Sequence, residues 1–263
     1  MTTMQLQLEY KDNDFLISYE WLVNNVVANN SDLEILNKLL HNRKKISALE
    51  IFKYCAKTNN YILGEILVEE LPFNKTALVV DHVGVDSHLY YNGNVHVTGD
   101  MNNYHNIYIY GDLKVDGKIS NRKGGIITAN HLYTSEIDVA MAARIYAETK
   151  AESIIMTDSA TIVGDTEANH INLNIMAQIE GKTKANNINI RHFSAIYGDV
   201  NASLVKLNHA PIYGMRGRIY GNVDADEIIN DGGRISGDVN TVKIDNINGG
   251  KVDGIITYKS LSH

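Results

Sequence analysis

An apolar residue, isoleucine in nearly every copy, recurs through most of this chain at an almost constant interval of 16 to 18 residues, with one longer interval. Gly or Ala stands two residues after each copy. A period this short is typical of a repeat architecture in which each unit stacks on the next. The column consists of Ile109, Ile127, Ile145, Ile162, Ile179, Ile196, Ile219, Ile235 and Val252.

Apolar and polar residues alternate within a repeat, as in the sequence from 171 to 179. Alternation with a period of two is typical of β-strands, and one repeat is too short to hold a helix as well. Three strands of roughly six residues use up one repeat, and successive turns would lie about 4.8 Å apart. The sequence therefore predicts a mainly β fold, a single-stranded three-sided β-helix whose core is filled by the isoleucine column.

The direction in which this β-helix winds is open between two forms. A left-handed hexapeptide β-helix also has about 18 residues per turn. Here the repeats vary in length, and a Gly-Asp step occurs once per turn rather than once per side, so the right-handed form is favoured. The glycine spacing excludes collagen, and no apolar run is long enough for a transmembrane helix.

Composition limits the functions that the chain can have. Its 263 residues carry a formal net charge of −7, which argues against generic binding to nucleic-acid phosphates. The single cysteine, Cys55, excludes an intramolecular disulfide and fits a reducing cytosol. Residues 1–10 lack the basic and apolar segments of a signal peptide. We therefore expect a cytoplasmic protein without a transmembrane segment.

The sequence from 15 to 71 shows helical periodicity instead of alternation. Two apolar runs follow the pattern of a capping box, in which Ser precedes Glu by three residues. These boxes are Ser31 with Glu34 and Ser47 with Glu50. The predicted helical segments are 18–27, 33–40 and 47–55, and a fourth segment over 60–71, which Pro72 ends, is either a helix or a strand.

We interpret the chain as two domains, an α-helical N-terminal unit (1–75) and the β-helix solenoid (76–263). A solenoid exposes strand edges at its ends, and exposed edges pair with other chains unless they are covered. The helical unit is therefore predicted to cap the N-terminal end of the β-helix. A separate binding domain is the alternative interpretation.

The last turn of the solenoid, over 251–258, is followed by no helix or proline-rich segment, so we expect its end to be uncovered. Ile256 and Tyr258 of this rung are predicted to stack on the same rung of a second copy. If the N-terminal end is capped and the C-terminal ends of two copies pair, no open end remains to which a further copy could add. The expected assembly is therefore a closed homodimer with a twofold axis.

Several repeats share the pattern Ile-x-Gly-Asp, as in 162–165, 196–199 and 235–238. Over residues 95–258 this pattern resembles the repeat of the bactofilins. Bactofilins are bacterial cytoskeletal proteins with a right-handed β-helix, and they polymerise end to end without nucleotide. The resemblance implies a structural, self-associating protein of the cytoskeleton.

Tyrosine follows the column isoleucine in several repeats, and the chain has 15 Tyr against 4 Phe. A stripe of tyrosines on one outer face can stack on sugars or anchor a protein partner, because the side chain combines apolar area with a polar tip. High β-propensity and packing between rungs explain it equally well. The stripe consists of Tyr110, Tyr146, Tyr197 and Tyr220.

The rhythm is interrupted once, because Ile196 and Ile219 are 23 residues apart (219 − 196). The extra residues lie within 208–218 and are expected to bulge from the solenoid as a loop. Loops of repeat proteins often lie on the binding face, and a neutral excursion is the alternative. The residues predicted to contact an acidic group of a partner are His209, Tyr213, Arg216 and Arg218.

Mostly polar residues follow the Gly or Ala of each repeat and predict an outward ladder. Carboxylates on neighbouring rungs, Glu148 and Asp165, would lie near the separation of a retaining glycosidase pair. Gly-Asp is also a turn dipeptide in which Asp accepts hydrogen bonds from the backbone, and this structural role is favoured over catalysis. The ladder is Asp112, Asn130, Glu148, Asp165, Lys182, Asp199, Asn222 and Asp238.

No motif in the sequence indicates an enzyme. The histidines lack metal-ligand spacing, no Gly-x-Ser-x-Gly marks a nucleophile, and no phosphate-binding loop is present. We expect a non-enzymatic scaffold without cofactor or metal, which binds itself and an unidentified protein partner. The alternatives are a β-helix that binds or cleaves carbohydrate and, third, an acidic inhibitor that imitates nucleic-acid phosphates.

Overall fold

A computed structural model describes residues 8–11, 14–26, 30–40, 43–210 and 215–260. Over these residues the chain forms a parallel-strand β-solenoid of about 10 turns, preceded by a smaller unit of helices and short strands. The mainly β fold predicted from the repeat is confirmed.

The N-terminal unit is not purely helical, because three of its strands form a small antiparallel sheet. These strands are too short to show a clear alternation, so the sequence pattern does not predict them. The elements of the unit are β1 (Leu8–Lys11), β2 (Asp14–Ser18), α1 (Tyr19–Asn25), α2 (Asn30–Leu40), β3 (Lys45–Ser47), α3 (Ala48–Thr58) and α4 (Tyr61–Glu70).

The capping signals are confirmed in part. The Ser47 hydroxyl accepts a hydrogen bond from the Glu50 amide at 3.3 Å, but the Glu50 carboxylate pairs with Arg43 instead of closing the box. The helix α2 begins at Asn30, within a residue of the predicted cap at Ser31, and the side chain of Ser31 lies outside the described residues. The segment after Asn60, left open as a helix or a strand, is the helix α4.

The solenoid is built from short strands that pair in parallel with the equivalent strands of the turns before and after. The strands of this part of the chain are β4 (Asn74–Val80), β5 (Leu89–Tyr91), β6 (Gly93–Val97), β7 (Met101–Asn103), β8 (Asn106–Ile109), β9 (Leu113–Val115), β10 (Lys118–Asn121), β11 (Ile126–Tyr133), β12 (Glu136–Val139), β13 (Arg144–Met156), β14 (Thr161–Val163), β15 (Thr166–Leu173), β16 (Gln178–Glu180), β17 (Thr183–Ile190), β18 (Ala195–Tyr197), β19 (Val200–Leu207), β20 (His209–Ala210), β21 (Met215–Arg216), β22 (Arg218–Ile219), β23 (Val223–Asp231), β24 (Arg234–Ile235), β25 (Val239–Ile247), β26 (Lys251–Val252) and β27 (Ile256–Tyr258). Of these, β20 and β21 lie outside the parallel ladders and pair with each other antiparallel.

Each turn has three sides, as the repeat predicts. In one turn β14 forms the first side, and β15 bends near Asn169 to form the second and third sides. Ile162 of β14 pairs with Ile145 in the turn before and Ile179 in the turn after, which gives an isoleucine ladder in the core. The winding direction stays a prediction.

The start of the isoleucine column differs from its prediction. Ile127 pairs with Ile107, whereas Ile109 pairs with Tyr91 of the turn before. The turn between Ile107 and Ile127 takes 20 residues (127 − 107) rather than the usual 16 to 18, and the β11–β13 ladder contains an irregularity after Thr128. A constant interval counted back from Ile127 therefore reaches Ile109, which is also buried but stands at another place in the turn.

The corner between the first and second sides, which we call the glycine corner, explains the Gly/Ala position of the repeat. Gly164 has φ of +140°, and a Cβ there would lie 2.2 Å from the carbonyl oxygen of Ala147. Glycine is required because the backbones of neighbouring turns approach closely at a left-handed conformation. Ala147 is tolerated in the same column because β13 runs continuously through the corner.

The N-terminal unit packs against the flank of the solenoid near its first turns. Its buried core includes Ile51 and Leu67 and extends to Tyr90 of β5. A Cβ at Gly64 of α4 would lie 2.8 Å from the Tyr90 ring, so the helix needs glycine at this contact. The predicted role of the unit as an end cap and the domain boundary after residue 75 stay predictions.

Candidate functional site

The C-terminal end of the solenoid presents incompletely covered core residues. Three apolar residues at this end pack against the core but are only partly buried: Ile244, Val252 and Ile256. Their counterparts one turn earlier, Ile228, Ile235 and Val239, are at most 1% exposed. The difference is the absence, among the described residues, of a further turn stacked on this end. Ile256, predicted for self-association, therefore belongs to an apolar surface that another rung would complete.

Tyr258, the second residue predicted for self-association, is 64% exposed on β27. It continues the ladder position of Thr241, whose side chain is buried. No strand in the described part of the chain pairs with the outer edge of β27. The edge therefore offers backbone hydrogen-bonding groups to a strand from outside.

Lys259 fixes the chain that leaves this rung. Its backbone amide donates to the carbonyl of Thr241 at 2.8 Å, and its Nζ lies 2.5 Å from Asp224 Oδ1. The hydrogen bond from Lys259, with a second one from Asn240, lowers the pKa of the Asp224 carboxyl. These contacts attach the chain that follows β27 to the second side.

The N-terminal rung has a comparable edge. Leu78 and Val80 of β4 are partly buried, whereas their ladder partners Val95 and Val97 are buried. In the described residues β4 pairs only with β6. The helices contact β5 and β8, and Leu49 of α3 packs against the solenoid core.

The predicted tyrosine stripe is divided. Tyr197 and Tyr220 stack with their ring centroids 4.7 Å apart and their planes 3° from parallel. Tyr146 lies on the same ladder but is separated from Tyr197 by Val163 and Glu180. The exposed stacked pair is a small aromatic platform rather than a stripe.

Tyr110 does not belong to this ladder, and its prediction as a stripe residue is wrong. Because Ile109 does not belong to the isoleucine column, Tyr110, which follows it, does not belong to the tyrosine ladder either. The ladder continues instead from Thr128 to Tyr108 and Tyr90. Tyr90 is buried against α4, and the Tyr108 hydroxyl donates to Glu69 Oε1 at 2.7 Å, so these tyrosines hold the N-terminal unit.

The insertion leaves the solenoid as a short antiparallel hairpin of β20 and β21, with His209 paired to Arg216. Arg216 and Arg218 are exposed, and an Arg218 Nη1–H donates to the Tyr220 hydroxyl at 3.0 Å. The side chain of His209 and all of Tyr213 lie outside the described residues. Of the predicted contact residues, the structure therefore brings Arg218 together with the stacked tyrosines.

Side chains of the outward ladder accept hydrogen bonds from backbone amides of the next turn. Lys182 N donates to Asp165 Oδ1, and Asn222 N donates to Asp199 Oδ1, both at 2.9 Å. Asn222 Oδ1 accepts the same bond from the next turn, so the arrangement needs an acceptor oxygen and no charge. Asp165 thus has the structural role that the sequence favoured. The non-enzymatic nature of the chain stays a prediction.

The outward ladder forms one wall of a groove that was not predicted from the sequence. The groove follows the glycine corner along several turns and has a volume of about 720 Å³. Its second wall comes from outward residues of the second side, including Lys150, Glu167 and Lys184, which form ion pairs. The groove could have been predicted from the sequence by combining the outward positions on the two sides of the glycine corner, because these positions line its two walls.

His131 stands at the N-terminal end of this groove. Its Nδ1 lies 2.7 Å from Asp112 Oδ1, and its Nε2 lies 3.4 Å from Glu148 Oε2. The hydrogen bond with Asp112, supported by the charges of both carboxylates, raises the pKa of His131. The imidazole is therefore held as a cation between two rungs of the ladder over a wider pH range than a free histidine.

Within the described residues, no group of three or more His, Cys, Asp or Glu side chains is arranged to hold a metal ion. None of the described helices is long and apolar enough to cross a membrane. Comparisons with protein-family models, with curated proteins and with solved structures found no significant match.

Proposed function

We propose that this protein is a non-enzymatic scaffold that self-associates through the C-terminal end of its solenoid. The observation that carries the proposal is the half-buried apolar surface of Ile244, Val252 and Ile256, whose counterparts one turn earlier are buried. Stacking a second rung would remove this apolar area from water and pair the free edge of β27. The bactofilin-like repeat supports a structural role in the cytoskeleton.

The assembly that we propose is a homodimer in which two C-terminal ends meet around a twofold axis. Such an isologous contact uses the same surface on both copies and closes on itself. The acidic side chains beside this end, Asp224 and Asp253, are already paired with Lys259 and Arg234. Local charge pairing therefore reduces the repulsion between two copies.

Molar mass measured by light scattering over a concentration series tests this proposal. Wild type should reach twice the monomer mass, and Ile256→Asp should remain monomeric because it places a charge in the apolar contact. Ile155→Asp is the matched control, since Ile155 is exposed on the third side, away from both ends. Monomeric wild type at all concentrations, or equal effects of the two substitutions, would refute the proposal.

A head-to-tail filament is a second form of the same function. The specific observation in its favour is the unpaired β4 edge, where Leu78 and Val80 are only partly buried. Because β4 and β27 both belong to the second side, β27 of one copy and β4 of the next could continue one ladder. Electron micrographs of the light-scattering samples distinguish long filaments from closed dimers.

A second candidate function is binding of an elongated polar ligand, such as an oligosaccharide, in the groove along the glycine corner. The groove spans several turns and is walled by carboxylates, lysines and asparagines that can bind hydroxyl groups. Retention on immobilised polysaccharides tests it, with Asn201→Ala as the variant that should weaken retention. Equal retention of wild type and variant would count against the groove.

A further inference from the structure

The corner between the third and first sides is formed by turns whose two central residues both have left-handed backbone conformations. The turns are linked, because Ser159 N donates to Ile175 O and Met176 N donates to His192 O, both at 2.9 Å. They therefore stack in a column, which we call the turn ridge. The ridge consists of residues 123–124, 141–142, 158–159, 175–176 and 192–193.

The residues at the centre of the turn ridge are unusual for their backbone. Left-handed conformations favour Gly, Asn and Asp, and a later turn of the solenoid has Asn248 and Gly249 there. Ile175, by contrast, is β-branched and has φ of 48°, a conformation that such residues rarely adopt. The large apolar side chains of the ridge are exposed: Met141 (50%), Ile175 (41%), Met176 (48%) and Phe193 (40%).

Neither the backbone conformation nor solvation favours these side chains where they stand. Glycine and asparagine would relieve both penalties at no cost to the solenoid core, since the side chains lie outside it. Strained residues that are retained in an exposed line point to a contact made in function.

Exposed arginines flank the ridge turns in the sequence. Arg144 and Arg218 begin first-side strands next to the ridge, and Arg191 precedes the turn at His192. In the described part of the chain these arginines have no carboxylate partner, and they bond to uncharged groups of Tyr146, Tyr220 and Asn189. Asp158 is the one carboxylate among the ridge residues.

The insertion continues the turn ridge. Asn208 N donates to Ile190 O, and Arg218 pairs with Ala195, so β20 and β21 occupy the place of the next ridge turn. The intervening residues, 211–214, lie outside the described residues.

We propose that the turn ridge docks on an anionic lipid surface. Apolar side chains that project from an exposed corner on several turns can insert into a flat, soft surface, whereas a rigid protein would need a matching groove. The exposed arginines complement anionic headgroups. A second copy of this chain would present the same arginines and be repelled. Because the whole chain carries a net charge of −7, the attraction is local and weakened by salt.

Co-sedimentation of the full chain with vesicles tests the proposal. Wild type should pellet with vesicles of equal parts phosphatidylcholine and phosphatidylserine, but not with phosphatidylcholine alone. The double substitution Ile175→Asn and Met176→Gly should weaken binding by about tenfold or more, because it removes two inserting side chains. It should also raise the melting temperature, because Asn-Gly suits the left-handed turn, so that unfolding cannot explain the loss.

Ser159→Gly is the matched control, since it relaxes a ridge turn without removing an apolar side chain or a charge, and it should bind like wild type. Neutralising Arg191 and Arg218 to Gln should weaken binding by about tenfold and flatten its salt dependence. Wild type that stays in the supernatant, or binds both vesicle types equally, would overturn the proposal. So would equal binding by the Asn-Gly variant, or retention on immobilised polyglutamate without vesicle binding, which would assign the ridge to an acidic protein.

Discussion

At the scale of single residues, the glycine corner determines how closely successive turns can stack. A Cβ at Gly181 would lie 2.4 Å from the carbonyl oxygen of Gly164, and Gly181 has φ of +153°. Gly181→Ala should therefore lower the free energy of unfolding by about 2 kcal/mol, measured by urea denaturation. Ala147→Gly in the same column should cost less than about 1 kcal/mol, and equal losses would contradict this explanation.

Where Asp or Asn follows the glycine, as at Asp165, Asp199 and Asn222, its side chain contributes an acceptor oxygen rather than a charge. The substitution Asp199→Ala should lower the free energy of unfolding by roughly 0.5–1 kcal/mol, because it removes the acceptor for the backbone amide of Asn222. Asp199→Asn should be nearly neutral, since Asn222 makes the same bond one turn later. Thermal unfolding of both variants checks this, and a large loss in Asp199→Asn would show that the charge itself matters.

His131 should make stability depend on pH in a defined direction. Its folded-state pKa is raised above the ordinary value of 6.5, chiefly by the hydrogen bond with Asp112. Its contribution to stability is therefore complete below about pH 6.5 and is lost as pH rises through the raised pKa. Titration by NMR should show the raised value, and Asp112→Asn should return it toward 6.5. An unchanged pKa in that variant would contradict the assignment.

The glycines of the glycine corner and many of the acceptor side chains that follow them could be predicted from the sequence, because Gly-Asp steps recur at the repeat period. The register of the first turns could not, because Ile109 and Tyr110 lie at the repeat interval from Ile127 and Thr128, whereas the true ladder partners Ile107 and Tyr108 do not. The ridge turns also escaped prediction, since Ile175 and its neighbours are residue types that rarely adopt left-handed conformations.

At the scale of elements, α4 is joined to β8 by the hydrogen bond from Tyr108 to Glu69. Burial, with the Glu69 hydrogen bond, raises the pKa of Tyr108 to about 12. Since this is above the unfolded value near 10, the stabilisation is complete below about pH 10 and is lost as pH rises toward 12.

Tyr108→Phe should cost roughly 0.5–1 kcal/mol at neutral pH and reduce the loss of stability in alkali. Guanidinium unfolding at neutral and alkaline pH measures both effects. Tyr133→Phe is the control, because Tyr133 is an exposed tyrosine on the second side, away from α4. The same alkaline sensitivity in wild type and Tyr108→Phe would contradict the role given to this bond.

Element types were predictable where periodicity was long or a cap was clear, as at α3 after Ser47. The strands β1, β2 and β3 were not, because strands this short depend on their sheet partners rather than on a pattern of their own. The contact of α4 with Tyr90 depends on Gly64 and on the fold of the whole unit, which no local signal encodes.

At the scale of the whole molecule, the two ends and the turn ridge are separate surfaces. Pairing at the C-terminal end would leave the ridge free along the length of each copy. The proposed dimer and the proposed lipid contact can therefore be tested independently, since Ile256→Asp should abolish the dimer without removing any ridge residue.

Energy transfer between labelled ends tests the central claim most directly. Ser260→Cys labels the C-terminal end and Lys75→Cys the N-terminal rung, while Cys55 is buried and should resist labelling. About 10 turns separate these ends, roughly 50 Å along the axis. Mixed donor- and acceptor-labelled Ser260→Cys chains should show strong transfer, and mixed Lys75→Cys chains should show little. Transfer only between Ser260→Cys and Lys75→Cys chains, or no transfer in any mixture, would contradict self-association of the C-terminal ends.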